Sequence, residues 1–315
     1  MGLKIRMFKS SYFLAVILVA MLCCTGCSSK QMYDMVMVSE RSGAGMKKKS
    51  LTLEFGKMTY LENNVESDTT LVLIHGFGGN KDNWNRMVEL WDGKYHVIAP
   101  DLPGHGESVS SKALGYTTAQ QAQRLEMFLK AKKAKDIHIV GHSMGGAIAL
   151  RYVKNNAENV NSLILIDAMG MHRTKSDGDL LVERSEKNPL YDVCTKERFQ
   201  TLVDYSMHKS SHIPSLFKEV MFEEKCERKA LEKILYEGMF QDVKLDAIVK
   251  NITVPTLIVW GEKDRIIHPN NGKLFHDTIK DSQLVIFEEI GHIPLLEDPK
   301  RTAETIDSFL EQIDK

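Results

Sequence analysis

The sequence has no excess of charge of either sign. Its 41 lysines and arginines face 42 aspartates and glutamates, for a net charge of −1. No half of the chain is strongly basic, so nucleic-acid binding has no electrostatic support. Cysteine is scarce, five in 315 residues, and three of the five (Cys23, Cys24 and Cys27) fall within the first 27 positions. No cluster of histidine, cysteine and aspartate has metal-ligand spacing, so neither a metal nor an organic cofactor is implied. There is no apolar run of the ~20 residues that a comfortable transmembrane helix needs. The N-terminal run Tyr12–Leu22 has only eleven.

That run has another use. Lys4, Arg6 and Lys9 precede it, and a basic segment followed by an apolar stretch of this length has the form of a secretory signal. It closes on Thr25-Gly26-Cys27, which resembles the end of a bacterial lipobox, where the cysteine takes a diacylglyceryl group and becomes the new N-terminus. Cys24 stands where leucine is usual. The expectation is a signal over residues 1–27, lipidation at Cys27 and a lipoprotein of the bacterial cell envelope tied to the membrane by its lipid. Ser28 after the cysteine resembles an outer-membrane sorting cue. The alternatives are an uncleaved inner-membrane signal anchor and a secreted protein. Residues 28–49, rich in Ser, Gly, Lys and Met without a sustained period, read as a flexible tether. Cys194 and Cys226 are left over. They could form a disulfide, worth about 3 to 4 kcal/mol for a loop of roughly 33 residues, or remain two buried thiols.

Short apolar runs without alternation mark strands buried on both faces: Leu71–Ile74, Tyr95–Ala99, Ile137–Gly141, Leu163–Asp167, Thr256–Trp260 and Leu284–Phe287. Helical stretches lie between most of them, capped at Asp82 and at Thr117 or Thr118, so the sheet should be mostly parallel. Leu51–Phe55 and Met58–Glu62 around Gly56-Lys57 read as an edge hairpin. Between Gly170 and about Asn251 no buried-strand run occurs. Three amphipathic helical candidates take its place, Lys196–His208, Ser215–Lys225 and Arg228–Phe240. The reading is an α/β core over residues 50–169 and 251–315, with a helical cap or lid, 170–250, inserted after the sixth of eight strands.

The chemistry collects at the ends of strands. Gly141-His142-Ser143-Met144-Gly145 lies between a strand and a small-residue helix, the setting of a nucleophile elbow. Gly141 and Gly145 allow turns to pass where a Cβ would collide. A serine hydroxyl needs a base, and the base needs an orienting acid. His292 and Asp264 each lie just past a late strand, with Asp167 and Glu262 as the rival acids. Asp101 reads as structural, tying down its own Pro/Gly-rich turn. The two oxyanion amides expected are those of Met144 and of Phe77, whose neighbours Gly76 and Gly78 let the backbone close in after His75.

Taken together, His75-Gly-Phe-Gly, Asp101-Leu-Pro-Gly-His-Gly-Glu-Ser, Gly141-His-Ser-Met-Gly-Gly, Gly261-Glu-Lys-Asp and Gly291-His resemble the α/β-hydrolase superfamily over residues 50–313. Gly79-Asn-Lys-Asp-Asn-Trp84 and Val254-Pro-Thr256 are similar to cold-active bacterial lipases and animal monoacylglycerol lipases. The resemblance implies the α/β-hydrolase fold and a carboxylester hydrolase acting on acylglycerols or other lipid or small-ester substrates. It carries the triad to Ser143, Asp264 and His292. A C–C bond hydrolase on the same triad, or a non-catalytic binding lipoprotein, would be the alternative. Leu190, Phe199, Leu202, Met207, Ile213, Leu216, Met221, Leu235, Met239 and Phe240 are the cap side chains expected to face a pocket or to form the cap's own core.

Overall fold

The computed structural model describes residues 28–185, 187–210 and 213–313. A first helix, α1 (Ser29–Gly43), leads into the hairpin β1 (Lys47–Leu53) and β2 (Gly56–Glu62). Next come β3 (Thr70–Ile74), a 3-10 turn (Lys81–Trp84), α2 (Asn85–Leu90), β4 (His96–Pro100) and α3 (Thr118–Lys132). The centre of the chain is β5 (Ile137–His142), α4 (Met144–Asn156) and β6 (Val160–Ile166). The inserted helices are α5 (Asp177–Arg184), α6 (Lys196–Ser206), α7 (Ser215–Glu227) and α8 (Lys229–Phe240). A short α9 (Asp246–Val249) leads to β7 (Thr256–Gly261), α10 (Asn270–Thr278), β8 (Ser282–Phe287), α11 (Pro294–Glu297) and α12 (Pro299–Ile313).

The strands form one sheet in the order β1-β2-β4-β3-β5-β6-β7-β8. The β1–β2 and β2–β4 pairs are antiparallel and the rest are parallel. Successive residues of the central strands enter opposite apolar clusters. Ile139 and Leu165 pack with Phe128 and Ile148 on the face of α3 and α4. Val140 and Ile166 pack with Met87 and Phe309 on the face of α2 and α12. With both faces covered, no polar alternation survives in these strands.

Between β6 and β7 the cap has a small apolar cluster of its own, Val193, Phe199 and Val203. Cys194 and Cys226 are joined in a disulfide with their Cα atoms 5.1 Å apart, tying the start of α6 to the end of α7. The neck of the insertion is closed by the Leu245 N–H donating to Gly170 O at 2.9 Å. Leu245, Ile248 and Val249 belong to the same apolar cluster as Ile139 and Leu165.

Two sequence expectations need correction. Residues 29–43 are a helix, not a flexible tether. Ser28 and Gln31 form a capping box, which fixes its start. Tyr33 packs edge-on against Phe217 of α7, with ring centroids 5.3 Å apart. Arg41 makes two hydrogen bonds to Asp82, at 2.6 and 2.7 Å. Residues 47–49 are already in β1. The second correction is Asp82, which does not cap the following turn. Asn80 does, accepting the Asp82 amide at 2.8 Å and leaving the Asp82 carboxylate to Arg41 and Asn85. Cys27 and the signal lie outside the described residues. Among those described, no helix is long and apolar enough to cross a membrane.

Candidate active site

Ser143 sits where fully buried β5 turns into α4, with φ 53° and ψ −119°. This is left-handed backbone that a non-glycine residue adopts only under constraint. The constraint is visible on both sides. The Ser143 N–H donates to Ile166 O at 2.9 Å, and its carbonyl accepts the amides of Gly146 and Met169 at 2.9 and 3.0 Å. A Cβ on Gly145 would lie 2.2 Å from Ile74 O, and one on Gly141 would lie 2.5 Å from Gly145 O. Glycine at both positions is therefore a packing requirement, and it lets β3 and the elbow close on each other.

The side chains of Ser143, His292 and Asp264 meet in a chain of hydrogen bonds. Ser143 Oγ is 2.9 Å from His292 Nε2, and His292 Nδ1 is 2.8 Å from Asp264 Oδ2. A carboxylate accepts only, so Nδ1 carries the hydrogen and Nε2 is free to accept the serine proton. The other Asp264 oxygen accepts the amides of Ile266 and Ile267 at 2.8 and 2.9 Å, which fixes the carboxylate in its loop. His142 steadies the base from the backbone side. Its Nε2–H donates to His292 O at 2.8 Å. Burial, with the nearby His292 adding to it, holds the His142 imidazole down to about 3, so it stays neutral at ordinary pH.

The loop after β3 abuts the serine: a Cβ on Gly76 would lie 3.0 Å from Ser143 Cβ and 2.8 Å from His142 Nδ1. His75 locks this loop to the next one. Its Nε2 accepts the Leu102 amide at 3.1 Å, so its Nδ1–H donates to Gly76 O at 2.8 Å. Gly78 turns the loop with φ +66°. The Met144 amide opens α4 and, as a first-turn N–H, has no partner within the helix. Phe77, on the loop after β3, and Met144, at the start of α4, thus flank Ser143. Below them Asp101 carries more than its own turn. Besides the Glu107 amide at 2.8 Å it accepts the Lys81 amide at 2.8 Å and Lys81 Nζ at 2.9 Å, and Lys81 is only 2% exposed. This buried pair had no local signal in the sequence.

Ser143 and His292 line a cavity of about 1230 Å3 that runs beneath the cap and along α1. Of the cap side chains singled out from the sequence, all but Leu216 and Leu235 line it. Leu235 is buried at the Gly104 turn instead, where a Cβ would meet it at 2.5 Å. The sequence reading also missed Glu297. Its carboxylate accepts the amides of Gly291, His208 and Lys209 at 2.8, 2.9 and 3.1 Å. Together with the His292 N–H bond to Ser206 O at 2.9 Å, it pins the end of α6 to the loop that holds the base.

Among the described residues one group has the spacing of a metal site, Asp167, Asp264 and His292, with ligand atoms within 4.8 Å of one another. His292 Nδ1, the nitrogen 2.8 Å from Asp264 Oδ2, carries a hydrogen in this arrangement and so offers a cation no lone pair beside the two aspartates.

Residues 69–193 match the family model of the alpha/beta hydrolase fold. Lipase 3 of Moraxella sp. (strain TA144) is 38% identical over 280 residues, 88% of each chain. Monoacylglycerol lipase ABHD6 of Homo sapiens is 26% identical, covering 78% of this chain and 76% of its own. A solved bacterial membrane phospholipase A superposes with a TM-score of 0.87 at 32% identity, over 97% of this chain and 99% of its own. The eight-stranded sheet with its flanking helices is the fold these proteins share, and the chain belongs to the α/β-hydrolase family as a carboxylic ester hydrolase of the lipase/esterase type.

Proposed function

We propose that the protein is an acylglycerol lipase, tethered to a bacterial envelope membrane through a lipid on Cys27, that works through a Ser143–His292–Asp264 triad. The observation that carries this reading is the hydrogen-bond chain from Ser143 Oγ through His292 to Asp264, with Ser143 and His292 lining a cavity large enough for acyl chains. Ser143 Oγ attacks the ester carbonyl while its proton passes to His292 Nε2. The amides of Phe77 and Met144 hold the oxyanion of the tetrahedral intermediate, each contributing roughly 3 kcal/mol. His292 then protonates the departing alcohol, leaving the acyl group on Ser143. Water, deprotonated by the same imidazole, releases the fatty acid and restores the serine. Asp264 keeps the Nδ1–H tautomer and stabilises the imidazolium. The cap's Met, Leu and Phe side chains suit an acyl chain because they are apolar, and the unbranched thioether of Met adapts to chains of different length. The names of the relatives agree with a lipid ester as substrate.

A series of monoacylglycerols and p-nitrophenyl esters of rising chain length, run beside a vinylogous diketone, tests the substrate class. Turnover of the glycerol esters with no cleavage of the diketone is the expected result. If no activated ester turns over and a fluorophosphonate does not react, the protein is not a serine hydrolase. The tether has its own test, the mass of the mature protein. A lipid-modified Cys27 at the N-terminus is expected, and residues 1–26 still attached would overturn it.

A further inference from the structure

Asp167 ends β6, and the proposed triad leaves it unused. It is fully buried, and its φ of 44° is left-handed backbone for a non-glycine residue. Its surroundings hold it there. Its N–H donates to Val259 O at 3.0 Å, and its Oδ1 accepts the Gly261 N–H at 2.9 Å. Gly261 is where β7 runs into the loop of Asp264. The strands of this loop are tight enough that a Cβ on Gly261 would lie 2.0 Å from Gly291 O. Asp167 Oδ2, also buried, takes no hydrogen bond from any other donor, and the side chain that meets this carboxyl is that of Asp264.

Two groups from neighbouring elements face this carboxyl, Asp264 from the loop after β7 and His292 from the loop after β8, and the charge of Glu297 on α11 also acts on it. The Asp264 side chain is as buried as that of Asp167. Two carboxylates this close and this dry cannot both ionise cheaply. Asp264 accepts three hydrogen bonds, from His292, Ile266 and Ile267, whereas Asp167 accepts one. We propose, on the triad reading above, that Asp167 is a positioning residue: a neutral carboxylic acid that ties the end of β6 to the Asp264 loop and keeps a second negative charge away from His292. Burial, and next the charge of Asp264, push the Asp167 carboxyl well above the usual carboxylate range, in the same direction.

Asp167→Asn is the decisive variant, because an amide reproduces a protonated carboxyl in shape and charge. It should keep kcat and leave the acid limb of the kcat/KM pH profile where it was. If Asp167 were ionised, the same change would remove an anion within 4.8 Å of the imidazole and move that limb down by on the order of two pH units, which would overturn the proposal. Asp167→Ala, which loses the tie to Gly261, should lower kcat by roughly 10- to 100-fold with little change in KM. Full kcat in that variant would also overturn the positioning role. Should the alanine variant not fold, an infrared difference spectrum of wild type against Asp167→Asn at neutral pH decides. The C=O stretch of a protonated carboxylic acid is expected in the wild type, and its absence would overturn the proposal. That band reads Asp167 even in an enzyme whose nucleophile is not Ser143, so failure of the triad and failure of this inference stay distinguishable.

Discussion

Ser143→Ala is expected to lower kcat on p-nitrophenyl esters by about a millionfold, with KM and melting temperature almost unchanged. The size follows from what the hydroxyl does. Without it there is no acyl-enzyme, and the 2.9 Å path to His292 Nε2 carries no proton. The elbow itself is held by backbone bonds to Ile166, Gly146 and Met169, none of which involves the side chain, so the variant should fold normally. His292→Ala should cost about as much, and the double variant little more, because the residues act as one unit. What persists over the uncatalysed rate, roughly 1,000- to 10,000-fold, belongs to binding and the oxyanion amides. Labelling by a fluorophosphonate should vanish with the serine. Labelling that survives Ser143→Ala would show that another residue is the nucleophile.

Lys81→Met should give the largest loss of stability, about 3 to 5 kcal/mol by urea unfolding. Lys81 and Asp101 are 2% and 0% exposed, and the lysine ammonium is the charged partner of that carboxylate. Methionine fills the space of the stem but leaves Asp101 buried with only two backbone donors. The same ammonium also reaches Glu107 at 3.0 Å, but that carboxylate is 43% exposed. Glu107→Gln should therefore cost less than about 1 kcal/mol, as for an ordinary surface pair. The contrast between two partners of one lysine separates burial from mere pairing. If Lys81→Met costs no more than Glu107→Gln, the buried pair contributes nothing beyond its packing.

The strands of the sheet were legible because each must be apolar on both faces, and a short unbroken apolar run bounded by turn residues is the pattern that such burial leaves in a sequence. Ser143, Asp264 and His292 stood out because each follows one of those runs, and the structure brings the three within hydrogen-bond reach. What could not be read is held by contacts distant in sequence. Helix α1 buries only Val36, so it has no apolar period to detect, and it is held by Tyr33 on Phe217 and Arg41 on Asp82. The Lys81–Asp101 pair joins loops 20 residues apart, and Glu297 clasps amides 88 and 89 residues away. The rival acid Asp167 could be named from its place after a strand. Its tie to Gly261 required the register of β6 against β7.

The disulfide between Cys194 and Cys226 joins two segments of the cap, both within the insertion between β6 and β7. The redox history of a preparation therefore acts on one layer of the molecule. Protein made in a reducing cytoplasm and protein made in an oxidising compartment would share a nucleophile, a base and a sheet, but not a cap of equal stiffness. Differences between such batches should appear in which esters are accepted, and how firmly, well before they appear in the rate on a small activated ester. The choice of production host is thus a choice about specificity.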